Sequence, residues 1–275
     1  MNELKKTQPD YCANCLALVR NNGQLLEQIP EQTPEICAAA VKKDYRALQY
    51  VRQPTYELYL TAVRYDEDAL EFVNDKTLTP EQYEEICLIA ARNSYRALQY
   101  VKQQSFGVCL AAVQYSGSAL EYVNDRELDS QQYAEICLAA VNNDGSSIKY
   151  VNEKALTGDQ YFNICKRALL IDSGRLTYFF NSIIKSALNQ SQYSEICTIA
   201  VNEDGDVLKL IDNQTDELCL AAVKQSGSAL QYVKIQTEEI CLAAVKQDDK
   251  ALCLVNDEFK TSVTLKAFPK KNPSK

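Results

Sequence analysis

Cys12 and Cys15 form a C-x-x-C pair, the spacing of a redox dithiol or of half a zinc site. Either chemistry needs more than two thiols, and the rest of the chain does not supply it. There is no second C-x-x-C pair and no His anywhere, so the commonest zinc ligand and the commonest general base are both missing. A Cys nucleophile would therefore have no marked base to activate it. The chain contains no phosphate loop and no nucleophile elbow. Its many Asp and Glu fall at helix starts and turns, where capping accounts for them. The expectation is a non-catalytic protein with no cofactor and no metal, whose nine regularly spaced cysteines serve packing.

The residues whose types suit recognition are cations and aromatics. Arg20, Lys42, Arg64 and Arg92 each stand five residues after one position of a recurring motif. A cation near a helix C-terminus is favoured by the macrodipole alone, so the column has a structural reading as well as a binding one. Tyr45-Arg46 and Tyr95-Arg96 set an aromatic beside a cation in what reads as a loop, and Tyr65 and Tyr115 follow the cationic column by one residue. Arg and Tyr are enriched at interaction hot spots. Leu170 and Ile171 sit where other copies of the motif carry polar residues. They are either covered by a local insertion, which is the expectation, or exposed as an apolar partner contact.

These side chains are positioned by an internal repeat. The anchoring residue is Cys15, Cys37, Tyr59, Cys87, Cys109, Cys137, Cys165, Cys197, Cys219 and Cys241. Five of the nine steps between anchors have the length of that from Cys15 to Cys37, and four in the middle of the chain are longer. Around the anchor runs a segment such as Glu-Ile-Cys-Leu-Ala-Ala-Val, clearest at 135–141 and 239–245. Ten to fourteen residues later comes a second, such as Ala-Leu-Gln-Tyr-Val at 47–51 and 229–233. Tyr50, Tyr100, Tyr122, Tyr150, Tyr178 and Tyr232 share one column of the second segment with Phe72. That mixture predicts packing, with the hydroxyls reaching the surface.

Thr33-Pro34-Glu35, Thr215-Asp216-Glu217 and Thr237-Glu238-Glu239 read as N-caps of a first helix. That helix is expected to end about eight residues after the anchor, where Gly23, Gly117, Gly145, Gly205 and Gly227 turn left-handed. A second helix of about two turns then follows. The four longer steps carry Leu78-Thr79-x-x-Gln82-Tyr83, Leu128-Asp129-x-x-Gln132-Tyr133, Leu156-Thr157-x-x-Gln160-Tyr161 and Leu188-Asn189-x-x-Gln192-Tyr193. Each predicts a capping box with a Leu–Tyr staple and one extra helical turn.

So short a unit cannot bury its own apolar face, and neighbours must stack. The fold class predicted is all-α: an α-solenoid of about ten short two-helix repeats over residues 1–265, frayed up to Asp10, with a basic, disordered tail over 266–275. With 46% hydrophobic and 24% charged residues the chain is globular. No apolar run approaches the roughly 18 residues of a membrane span. No signal peptide is read at its start. Cysteines inside apolar helical segments suit a reducing, cytoplasmic setting. A net charge of −8 disfavours wholesale nucleic-acid binding.

Together the two half-motifs resemble the repeat of the domain-of-unknown-function family 4116, and the resemblance is weakest over 165–192. That family occurs in tandem arrays in giant viruses and some intracellular bacterial pathogens, and no general activity is attached to it. The resemblance implies a repeat scaffold acting inside a eukaryotic host and names no partner; the partner expected is a protein of unknown identity, a host protein being the candidate. A nucleic-acid reader using the four cations is the alternative.

Overall fold

In the computed structural model, which describes residues 8–269 without the side chains of residues 8–10 and 173, the protein is all-helical. No strand occurs among the described residues. Of the expected frayed lead-in, residues 1–7 lie outside the described residues and 8–10 open a helix. Residues 270–275 of the expected tail also lie outside them. Lys266 and Ala267, however, end a helix, and Lys266 pairs with Glu238 at 2.7 Å. At Lys266 and Ala267 the structure therefore has helix where disorder was expected.

The α-helices are α1 (Gln8–Asn21), α2 (Pro34–Lys43), α3 (Tyr56–Tyr65), α4 (Pro80–Asn93), α5 (Phe106–Tyr115) and α6 (Ser130–Asn143). They continue with α7 (Gly158–Ile171), α8 (Leu176–Phe179), α9 (Gln190–Glu203), α10 (Asp216–Gln225), α11 (Glu238–Gln247) and α12 (Asp257–Ala267). The chain divides into two compact units, Met1–Gln132 and Tyr133–Lys275. In the first, α1 to α5 pack in chain order, each on the next. In the second, α7 packs on α9, and α9 to α12 follow in order.

Thr33, Thr215 and Thr237 cap their helices as expected, each hydroxyl accepting the amide three residues on. All four predicted capping boxes form. At α4, the Thr79 N–H donates to Gln82 Oε1 at 3.1 Å and the Gln82 N–H to Thr79 Oγ1 at 3.3 Å. The same exchange links Asp129 with Gln132, Thr157 with Gln160 and Asn189 with Gln192. Helices so capped run 14 residues, against 10 for α2, α3, α5, α10 and α11, the one-turn difference expected.

The second segment differs from expectation. It is a 3₁₀-helix of six residues, as at Tyr45–Tyr50 and Gly227–Tyr232, rather than two α-turns. The apolar spacing explains this. Leu48 and Val51 are three residues apart, and the 3₁₀ turn places such residues on one face. Asp44 fixes the start by accepting the Arg46 amide at 3.0 Å.

The glycines are also used differently, for no described glycine has a positive φ. The chain turns at the residue before, which is extended, as at Asp144 before Gly145 with φ −150°. What Gly145 and Gly227 permit is contact: an added Cβ would lie 2.7 Å from the Ala168 carbonyl oxygen or 2.8 Å from that of Ala244.

Many successive helix pairs are joined by a side chain that reaches one backbone amide just after the 3₁₀ segment. Before short helices a Gln does this. Gln104 donates to the Leu98 and Tyr122 carbonyls at 3.1 and 2.8 Å and accepts the Asn124 amide at 2.7 Å. Gln32, Gln214 and Gln236 hold equivalent positions. In long helices the staple Tyr takes over: the hydroxyls of Tyr83, Tyr133 and Tyr161 accept the amides of Lys102, Asn152 and Ile184.

The odd anchor Tyr59 follows the same logic. Pro54 stands where the Gln would be, and the Tyr59 hydroxyl accepts the Asn74 amide at 3.3 Å. Tyr59→Phe should therefore cost about 0.5–1.5 kcal/mol through the loss of this part-buried hydrogen bond. A chemical-denaturation midpoint equal to that of the parent would remove the hydroxyl from this account.

The anchoring column extends one helix beyond the sequence expectation. Val263, one short repeat step past Cys241, is wholly buried in α12.

Candidate protein-binding face

In each of the short helices α2, α3, α5, α10 and α11, the residues one before the anchor, at it, and three and four after it face inward. In α2 these are Ile36, Cys37, Ala40 and Val41, all buried. The opposite face is then set by helical periodicity. It carries residues two before the anchor and five after it, which lie seven apart and so point the same way.

Arg20, Lys42, Arg64 and Arg92 occupy the later of those positions on α1 to α4, and all four are exposed. Among the described residues none of the four has a carboxylate within 4.0 Å. Lys42 instead sits 5.3 Å from the ring centroid of Tyr65. Tyr65 and Tyr115 stand out from the surface, 63% and 55% exposed.

The other aromatic–cation pairs behave differently. Tyr45 and Tyr95 open 3₁₀-helices rather than sit in loops, and both are half-buried. Their rings pack on Phe72 and Tyr122, at centroid separations of 6.0 and 6.2 Å. Arg46 lies over Tyr45 and 3.9 Å from Asp44, while the Arg96 Nε donates to the Tyr95 hydroxyl. Lys42, Tyr45, Arg46 and Tyr65 all border one open cavity of about 390 Å³, together with Asp44 and Asp66.

Leu170 and Ile171, expected to be covered locally, are 51% and 39% exposed. Their helical phase explains the correction. Ile164, Cys165, Ala168 and Leu169 take the inward positions of α7, and Leu170 falls in the outward column that holds the cations elsewhere. The inserted residues Phe179, Phe180 and Ile183 are the ones buried. Tyr178 departs from its column too: it is 84% exposed, whereas Tyr50, Tyr100, Tyr122, Tyr150 and Tyr232 are half-buried.

Acids two residues before the anchor, in the first turn of α2 and α3 and the second turn of α4, share the face of the cations. Glu35, Glu57 and Glu85 on α2 to α4 are exposed, seven residues ahead of Lys42, Arg64 and Arg92. Glu217 with Lys224 and Glu239 with Lys246 repeat the pattern on α10 and α11. Open furrows of about 560 and 400 Å³ run along these two helices, lined by Leu220, Ala221 and Lys224 in one and by Leu242, Ala243 and Lys246 in the other. The seven-residue spacing was the available signal.

The anchoring cysteines are buried, from Cys15 to Cys241. Several donate the thiol hydrogen locally, as Cys109 does to Gln104 Oε1 at 3.4 Å. Burial pushes the thiols of Cys87, Cys109 and Cys165 up to about 12. They therefore stay protonated at neutral pH, the unreactive form. Alkylation of the native protein at pH 8 should label the exposed Cys253 first and the half-buried Cys12 more slowly, with the column labelled only after unfolding. Rapid native labelling of Cys87 by mass spectrometry would count against this.

The same groups predict alkaline sensitivity. An unfolded thiol ionises near about 8.5. Between that pH and about 12 the unfolded chain has released protons the native chain keeps, so stability falls as pH rises through this window. Denaturation midpoints at pH 8 and pH 10 test the sign.

The described residues thus define an all-α protein whose distinctive chemistry lies on exposed helix faces. Residues 215–260, which span α10, α11 and their 3₁₀ segments, match the model of a domain of unknown function, DUF4116. No curated protein and no solved structure matches the chain. Among the described residues no helix is long and apolar enough to cross a membrane.

Proposed function

We infer that the chain is an α-solenoid of about ten short repeats and works as a non-catalytic scaffold that binds protein. The observation that carries this reading is the division of labour between faces. The recurring Cys, Ala, Val and Leu are buried, while the exposed helix faces vary along the chain. Those of α1 to α5 bear two exposed tyrosines and four cations that lack an ion pair among the described residues; that of α7 bears the apolar Leu170 and Ile171. Eleven cysteines without a disulfide among the described residues suit a reducing interior, and the partner proposed there is a protein, with a host protein as the candidate.

A nucleic-acid reader using the same cations is the second reading. Against it, Glu35, Glu57 and Glu85 share the face with three of the four cations and would repel a phosphate backbone.

Affinity purification from a eukaryotic extract, run beside the R20E/K42E/R64E/R92E variant, separates the two. Recovery of a protein that the variant loses is the expected result. Retention of nucleic acid with steep salt dependence, and no protein, would sink the scaffold reading.

A further inference from the structure

On α2 and α3 the exposed face begins with Glu35 or Glu57 and ends with Lys42 or Arg64; on α4 Glu85, one turn inside the helix, and Arg92 hold the same positions relative to the anchor. Between them lie the half-buried Ala38, Ala39, Thr61, Leu88 and Ile89, while Leu60, the counterpart of Ala38, is turned into the core. Seven residues advance a helix by roughly 10 Å, too far for the acid and cation of one helix to pair directly. Among the described residues, the Glu35 and Glu57 carboxylates have no hydrogen bond or ion pair, and Glu85 accepts one hydrogen bond, from the Tyr56 hydroxyl at 2.5 Å.

The three helices run side by side in the same direction. The starts of α2 and α3 line one cavity, through Pro34, Cys37, Thr55 and Glu57, and their ends line another, through Lys42, Lys43 and Tyr65. The Tyr56–Glu85 bond likewise joins the start of α3 to the first half of α4. Because α2 packs on α3 and α3 on α4, the acids and cations form two parallel rows of opposite sign.

Such a pair of rows is self-complementary. A two-fold axis lying in the plane of the face, running across the helices midway between the rows, lays the negative row of one copy on the positive row of another. We propose that the occupant of this face is a second copy of the chain, bound through α2, α3 and α4 about that axis.

The operation fixes the contacts. Each helix lies antiparallel on its own counterpart, so Glu35 meets the second copy's Lys42, Glu57 its Arg64 and Glu85 its Arg92. Each contact occurs twice. Antiparallel helices also bring unlike dipole ends together. The small Ala38, Ala39 and Thr61 between the rows allow close approach. Arg20 lies outside the pattern, because Ala13 stands where α1 would need its acid.

A foreign acidic segment would satisfy only the positive row and be repelled by the negative one. Ten-residue stretches of three helices packed about 9 Å apart offer a footprint on the order of 400 Å² per copy. That is about half the usual area per partner in a stable complex, so the association is weak, ionic and salt-sensitive.

The inference rests on this being a protein-binding face, and the test keeps the two separable. Sedimentation velocity of the full chain across the micromolar range should show a dimer that grows with concentration at low salt and dissolves at high salt. The K42E/R64E/R92E and E35K/E57K/E85K variants, each folded by circular dichroism, should be monomeric alone and dimerise when mixed in equal amounts. Carbodiimide treatment of the unaltered chain, mixed with an isotope-labelled copy, should join Lys42 of one copy to Glu35 of the other in the dimer band, a measurement that stands even if a variant misfolds.

A chain monomeric at every concentration overturns the proposal. So do variants that each dimerise like the parent, folded variants that stay apart when mixed, or a dimer lacking the Lys42–Glu35 link between copies. A monomer that still captures a foreign protein, lost on K42E/R64E/R92E, overturns the self-association and leaves the scaffold reading standing.

Discussion

Gln104→Ala is expected to destabilise the first unit by roughly 3–5 kcal/mol, because one amide side chain satisfies four groups at once. Gln104 is 8% exposed. Its Nε2 donates to the Leu98 and Tyr122 carbonyls, and its Oε1 accepts the Asn124 amide and the Cys109 thiol. The two carbonyls belong to successive 3₁₀ segments, Tyr95–Tyr100 and Gly117–Tyr122, so the side chain ties one helix pair to the next. Truncation removes every bond and leaves partners that cannot turn to one another. The reading is a urea titration followed by circular dichroism. A loss under about 1 kcal/mol would mean that water replaces the amide at little cost, and the stitching role would fail. Gln104→Glu offers a second check: an acceptor replaces the donor facing two carbonyls, so this near-isosteric change should also destabilise strongly.

Gly227→Ala carries the second large effect, and here the sign itself is informative. Gly227 begins a 3₁₀-helix with no positive φ, so on conformational grounds alone alanine should stabilise by about 0.5–1 kcal/mol. Packing opposes this. The new Cβ would stand 2.8 Å from the Ala244 carbonyl oxygen, 2.9 Å from Gln247 Oε1 and 3.0 Å from Asp248 Cβ. The Gln side chain can move; the helix backbone at Ala244 cannot without parting α11 from the 3₁₀ segment. A net loss of about 2–3 kcal/mol is expected. A gain in thermal midpoint would show that the glycine serves backbone freedom only.

The two substitutions probe features that look alike in sequence and differ in physics. Gly23, Gly145, Gly205 and Gly227 stand at a helix end, where a left-handed turn is the ordinary reason for glycine. Nothing in the neighbouring residues separates that reason from close approach, because the obstructing carbonyl belongs to the next long helix along the chain, at Ala40, Ala168, Ala222 or Ala244. Gln104 likewise sits in a short linker beside Ser105, where a polar residue is unremarkable. Its role depends on carbonyls 6 and 18 residues distant in opposite directions.

The face assignments show the same divide. That Arg20, Lys42, Arg64 and Arg92 would share one surface followed from their common distance to the anchor. That Glu35, Glu57 and Glu85 complete the pattern follows from the same periodicity, once the inward positions are known from burial. Leu170 and Ile171 are exposed because helical phase, not apolarity, sets which residues of α7 face inward.

What the amino-acid order determined alone is therefore the local framework: the anchoring column, the N-caps, the four capping boxes and the one-turn lengthening. These rest on interactions three or four residues apart, which residue type and spacing specify directly. Tertiary structure decided what the distant groups do. It set the second segment as 3₁₀, gave Tyr59, Tyr83 and Gln104 their backbone amides, made glycine a matter of contact, and left Leu170 in solvent. Each of those outcomes depends on how neighbouring helix pairs pack, and the positions of the atoms they contribute exist only once they have done so.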